Sequence, residues 1–181
     1  AGKNETKLSF RDYYKNNLPK TTSAKMHYTA GILKPPYDLK KILKQGKPLL
    51  VLFEQPSCKV CDELHNDIFK RKITKAELSH LNVVLVDTWS NDKIVDPTGK
   101  TTTVSKWAQK IKVKYSPSMV FFNSKGEEVF RTEAYLKAFH VQGSMAYVHE
   151  KAYLKQPNFQ RYLQERRAKI EKKGGNIDLW Q

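Results

Sequence analysis

The feature that most constrains this chain is a continuous apolar run, Leu49-Leu50-Val51-Leu52-Phe53, followed closely by Cys58-Lys59-Val60-Cys61. The run lies between Pro48 and Pro56 and shows no polar alternation, which is how a central strand covered on both faces reads. After a turn at Gln55-Pro56-Ser57, residues Cys61, Leu64, His65 and Ile68 share one side of a helix. The first cysteine therefore falls at or near a helix N-terminus.

The remaining pattern predicts an α/β fold, a central mixed sheet flanked by helices. Asp38 can cap a helix that turns Leu39, Ile42 and Leu43 inward, with Gly46 as its stop. Thr74-Lys75-Ala76-Glu77 has capping-box spacing and predicts a short helix before a second buried strand, Asn82 to Asp87. The polar stretch from Trp89 to Thr103 contains Asp96-Pro97-Thr98-Gly99 and reads as a loop or insertion. Val104, Trp107, Ala108 and Ile111 then repeat at helical spacing. Ser118 to Phe122 and Glu128 to Arg131 flank Asn123-Ser124-Lys125-Gly126 as an antiparallel hairpin. The tail is expected to be helical, with Phe159, Tyr162, Leu163, Arg166 and Ile170 on one stripe, opened by Pro157-Asn158 and ended by Gly174-Gly175.

With 181 residues and 39% apolar content, one domain is expected. Residues 1–36, ending at Pro35-Pro36, read as an N-terminal extension with room for a short helix from Leu8 to Asn17, and 37–181 as the domain with a C-terminal helical extension. No internal repeat is apparent. No stretch approaches the roughly 18 apolar residues that span a bilayer, so a membrane-spanning chain is not expected.

The net charge of +15 raises a nucleic-acid reading, and its distribution argues against one. Basic and acidic side chains number 11 and 3 in residues 1–50, 12 and 10 in 51–130, and 10 and 5 in 131–181. The excess sits in the flanks, where Lys40-Lys41, Arg166-Arg167 and Lys172-Lys173 alternate with apolar positions, as on the solvated side of an amphipathic helix. A docking face for an acidic partner is the alternative. Tyr13, Tyr14, Tyr28 and Tyr37 can equally cover the domain or form a partner surface.

Both cysteines of the chain lie in the one C-x-x-C motif, which excludes a disulfide scaffold. A structural zinc site needs further ligands, and the nearest candidates are His65 and His80, so no metal is expected there and no cofactor is required. A purely structural bridge is a further alternative. Redox use fits the spacing: two intervening residues bring the sulfurs within bonding distance while leaving the first more open than the second. Cys58, near the helix N-terminus, is the expected nucleophile, because unpaired N–H groups and the positive end of the helix favour a thiolate. Cys61 is the expected resolving thiol. Lys59 is a candidate modulator by its charge, or a solvated side chain. Glu54 is a candidate aid to proton transfer at Cys61, although a strand-end glutamate is more often solvated. His65 is read as a partly exposed helical histidine without a catalytic role.

This order of elements, with C-x-x-C after a central strand and Tyr115-Ser116-Pro117-Ser118 ahead of the next strand, resembles the thioredoxin superfamily over roughly residues 38 to 137. The resemblance implies a cis-proline at Pro117 beside the cysteines, and a main-chain pairing of Ser116 with an extended substrate. Trp107-Ala108 through Val113, Phe121-Phe122 and Lys125-Gly126-Glu127 look like the matching family stretch. Met145-Ala146-Tyr147-Val148, Tyr153 and Phe159-Gln160-Arg161-Tyr162-Leu163 resemble SoxW-type thioredoxins more specifically. That likeness implies a mature periplasmic chain after signal removal, acting as a monomer on disulfide-containing client proteins, with a membrane thiol-disulfide transporter as electron donor. The chain departs from thioredoxin in having Ser57 before the first cysteine, Lys59-Val60 between the pair, and Leu52 where thioredoxin carries a buried acid.

The leading expectation is thus a thiol-disulfide oxidoreductase that reduces exported proteins. A disulfide oxidase or isomerase would use the same residues. A noncatalytic binding module holding an acidic partner on its basic flanks is the reading from another class.

Overall fold

Apolar runs buried on both faces build the central strands, and side-chain caps open several of the helices. The computed structural model describes residues 25–175. Its elements are β1 (Ile32–Leu33), β2 (Tyr37–Asp38), α1 (Leu39–Leu43), β3 (Leu49–Glu54), α2 (Lys59–Asn66), α3 (Lys72–Leu78), β4 (Asn82–Asp87), β5 (Lys93–Val95), β6 (Thr101–Thr103), α4 (Val104–Lys110), β7 (Ser118–Phe122), β8 (Glu128–Thr132), α5 (Ala138–His149) and α6 (Phe159–Lys172). Single 3-10 turns at Ile68–Lys70 and Ala152–Leu154 join α2 to α3 and follow α5. The helix considered around Leu8 to Asn17, and Tyr13 and Tyr14, lie outside the described residues.

A five-stranded sheet in the order β1-β4-β3-β7-β8 forms the frame. β3 is its middle strand, parallel to β4 from Leu49 opposite Asn82 to Glu54 opposite Asp87, and antiparallel to β7 from Leu49 opposite Phe122 to Phe53 opposite Ser118. All six β3 residues are buried. Alternation sends Leu50 and Leu52 to one face, where they meet Leu64, Ile68 and Phe69 below the cysteines and Val141, Met145 and Val148 of α5. Leu49, Val51 and Phe53 face the opposite layer, with Leu39, Leu43, Val104 and Trp107. Each large side chain so buried contributes about 1.5–3 kcal/mol of hydrophobic free energy. This is the thioredoxin fold, a mixed sheet between helices with a further C-terminal helix.

The caps follow local chemistry. Asp38 Oδ1 accepts from Lys41 N at 2.9 Å and opens α1, and Asn158 Oδ1 accepts from Arg161 N at 3.0 Å and opens α6. In the β7–β8 turn Asn123 Oδ1 accepts from the N–H groups of Lys125 and Glu127, while Gly126 takes the positive φ of 84° that the reversal requires. Gly143 lets α6 approach α5 closely, since a Cβ there would meet Leu163 Cδ2 at 2.4 Å.

Three local expectations change. The stretch from Trp89 to Thr103 is not a plain loop: β5 and β6 pair antiparallel, and β5 pairs parallel with β2, giving a small three-stranded sheet. Buried Asp96 organises its turn, accepting from Thr98 N, Thr98 Oγ1 and Lys100 N. Thr74 does not cap a helix, because α3 already begins at Lys72; Thr74 is buried, and its Oγ1 accepts from Gln142 Nε2 at 3.0 Å. Within the segment read as an extension, β1 pairs with β4 and forms a sheet edge. Tyr37 is buried, whereas Tyr28 is 42% exposed.

No helix among the described residues is long and apolar enough to cross a membrane. The layer of α3, α5 and α6 is tied by a half-buried charge cluster: Glu77 receives Arg166 Nη2 at 2.8 Å on one oxygen and His149 Nε2 at 2.6 Å on the other. Burial pushes the Glu77 carboxyl up, but the His149 hydrogen bond and the Arg166 charge outweigh it and hold it below the usual glutamate value. A lowered folded pKa means stability that is present above the ordinary glutamate value of 4.5 and lost as pH falls through the folded value. Glu77→Gln should cost about 1–3 kcal/mol near neutral pH by urea unfolding. The gap to the native chain should narrow in strong acid, where native Glu77 is protonated as well.

Candidate active site

Glu54 ends β3, and the chain leaves the sheet through Gln55 and Pro56. Ser57 takes a positive φ of 60°, the left-handed turn that redirects the backbone into α2. Cys58 is the N-cap residue: its backbone is extended, and its sulfur accepts from Cys61 N at 3.1 Å. The two sulfurs are joined in a disulfide with an S–S distance of 2.11 Å. Cys58 is 8% exposed and Cys61 1%, so the first sulfur is the more open of the two, though only by a narrow margin.

The loop before β7 meets the pair from the other side. Ser116 Oγ lies 3.9 Å from Cys61 Sγ, and the Ser116–Pro117 peptide bond is cis. Ser118 Oγ donates to Tyr115 O at 2.6 Å and braces this loop. Val60, Pro117, Met119, Tyr135 and Leu136 line an apolar cleft beside the cysteines. Trp89 and Tyr115 are 63% and 62% exposed, and Trp89 Nε1 donates to Gln55 Oε1 at 3.2 Å near the turn into α2. The fold therefore brings Cys58, Cys61, Ser116 and Pro117 together. Lys59 is exposed at the first position of α2.

Two residues depart from their expected settings. Glu54 is not a solvated strand end; it is 1% exposed, because it shares the face of Leu50 and Leu52 and so lies under α2. His65 is not partly exposed; it is fully buried, and its Nε2 lies 2.8 Å from Glu54 Oε1. The clue was available in the helical stripe Cys61, Leu64, His65, Ile68, which is an inward face. His27 escaped the sequence reading altogether. Its ring stacks on His65 with centroids 4.9 Å apart, and its Nε2 lies 2.8 Å from Asp62 Oδ1. His27, Glu54 and His65 are also the described residues grouped closely enough to offer ligand atoms to one ion.

A two-residue spacer at a helix N-terminus, with one sulfur more open than the other, can break and remake its own disulfide by exchange with thiols and disulfides. Comparison with known proteins bears on the fold. The thioredoxin-like domain model matches residues 35–149, more than half of the chain. No curated protein matches. A solved thioredoxin-fold protein from Helicobacter pylori aligns with a TM-score of 0.57 at 15% identity, covering 81% of this chain and 91% of its own. A thioredoxin from Thermus thermophilus gives 0.49 at 18% identity over 64% and 88% of the two chains. One from Halobacterium salinarum gives 0.46 at 16% over 68% and 96%. By the domain match and the architecture around its cysteines, this chain belongs to the thioredoxin-like domain family.

Proposed function

We propose that the chain is a thiol-disulfide oxidoreductase that reduces disulfides in client proteins. The observation that carries this reading is the Cys58 sulfur at the N-cap of α2, bonded to a covered Cys61. In the reduced pair, the Cys58 thiolate attacks one sulfur of a client disulfide. A Cys58–client bond forms as the client S–S bond breaks, and one client thiolate leaves. Cys61 then attacks the Cys58 sulfur, the mixed disulfide breaks, and the second client thiolate departs. Two electrons pass to the client, and the Cys58–Cys61 bond is restored.

The groups around the pair have matching tasks. The helix N-terminus favours the Cys58 thiolate by about 0.3–1 kcal/mol when exposed, and by more when partly buried. The exposed Lys59 ammonium adds a screened attraction of the same sign. Ser116 and Pro117 are the proposed edge for an extended client segment, flanked by the apolar side chains of Val60, Tyr135 and Leu136. The SoxW-like tail motifs favour a periplasmic SoxW-type protein that works as a monomer and takes electrons from a membrane thiol-disulfide transporter.

Two outcomes are expected. Alkylation of the reduced chain, followed by peptide mass spectrometry, should label Cys58 at least about tenfold faster than Cys61. Equal rates would remove the distinction between nucleophile and resolving thiol. A Cys61→Ser variant should accumulate mixed disulfides with clients through Cys58, and Cys58→Ala should abolish them. Full biological activity in Cys58→Ala would favour the binding-module reading instead.

A further inference from the structure

Four polar side chains converge beneath α2 from three parts of the chain: His27 from the segment before β1, Glu54 from the end of β3, and Asp62 and His65 from α2. Glu54, Asp62 and His65 are 1%, 7% and 0% exposed. Two buried carboxylates in one place demand positive charge close by. Each has one imidazole at 2.8 Å: His65 Nε2 on Glu54 Oε1, and His27 Nε2 on Asp62 Oδ1. The imidazole rings are stacked, and ligand atoms of His27, Glu54 and His65 all lie within 4.8 Å of one another.

The second Glu54 oxygen is the independent clue. Oε2 is buried and has no hydrogen-bond partner among the described residues, although a buried carboxylate ordinarily has both oxygens engaged. Two imidazole nitrogens and one carboxylate oxygen, with a fourth position left for water, form a donor set that suits a divalent first-row ion, with zinc the best fit by type. We propose that His27, Glu54 and His65 bind one divalent transition-metal ion of the zinc class, separate from the cysteine chemistry, with Asp62 beside His27.

The surroundings fit that use. Thr29 Oγ1 lies 3.5 Å from His65 Nδ1, an outer partner that fixes the ring and leaves Nε2 for the metal. Thr29, Ala30 and His65 line a surface cavity together with Phe69, Lys70 and Lys75, which gives an entry path. The ion would pin residues 25–31 to β3 and α2. It would replace the two direct imidazole–carboxylate contacts of the protein-only cluster.

The test uses the full chain with Cys58 and Cys61 oxidised, so that neither sulfur can ligate, after removal of metal by a chelator. Zn²⁺ is titrated calorimetrically and Co²⁺ by visible absorption. A single ion per chain is expected, with cobalt d–d bands, no thiolate charge-transfer band, and a melting temperature raised by Zn²⁺. His27→Gln alters the least buried of these histidines, with its side chain 13% exposed, and should weaken Zn²⁺ binding about 100-fold. His80→Gln, outside the cluster, should leave binding unchanged. Absence of stoichiometric binding by the oxidised native chain overturns the proposal whatever the variants do. So does equal affinity in a folded His27→Gln chain.

Discussion

The contact on which the rest depends is the covering of β3 by two layers. Because both faces of Leu49–Glu54 are buried, the strand cannot slip by one residue without exchanging its two apolar sets. That fixed register carries the chain to Ser57 at a set place, and the left-handed turn there starts α2 with a sulfur as its cap. The position of the cysteines is therefore a consequence of core packing, with the short helix held on the sheet through Leu64, and Ile68 just after it, against Leu50 and Leu52.

The same register puts an acid under that helix. Leu52 occupies the place where thioredoxin has its buried carboxyl, and Glu54 lies two residues further along on the same face. At the end of the strand Glu54 meets His65, one turn beyond Cys61. His27 and Asp62 complete a polar layer between the N-terminal segment and α2. A buried network of this kind is destabilising when half satisfied and specific when complete, so what completes it bears on the fold as well as on chemistry.

Much of this was legible in the residues. The apolar run, the C-x-x-C spacing, the Asp38 and Asn158 caps and the turn at Asn123 to Gly126 each carry a local physical signature. Other parts had none. α5 is buried over most of its circumference, so its apolar residues lack a one-sided helical period. β1, β5 and β6 are two or three residues long, and the threonines of β6 gain their place from pairing with β5. The burial of Glu54 and His65 was half legible. Period two on β3 and the inward stripe of α2 both point to it, against the general tendency of charged strand ends to be solvated. His27 gave no local signal, because its setting arises from contacts distant in sequence.

The central claim is that electrons pass through one sulfur couple poised to reduce other disulfides. Equilibration of the chain in glutathione buffers of graded composition, quenched by alkylation and read by mass, measures that poise directly. The account predicts a single reversible two-electron transition of Cys58 and Cys61 together, near the thioredoxin value of about −270 mV. A potential near about −120 mV, or sulfurs that do not exchange at all, would contradict it.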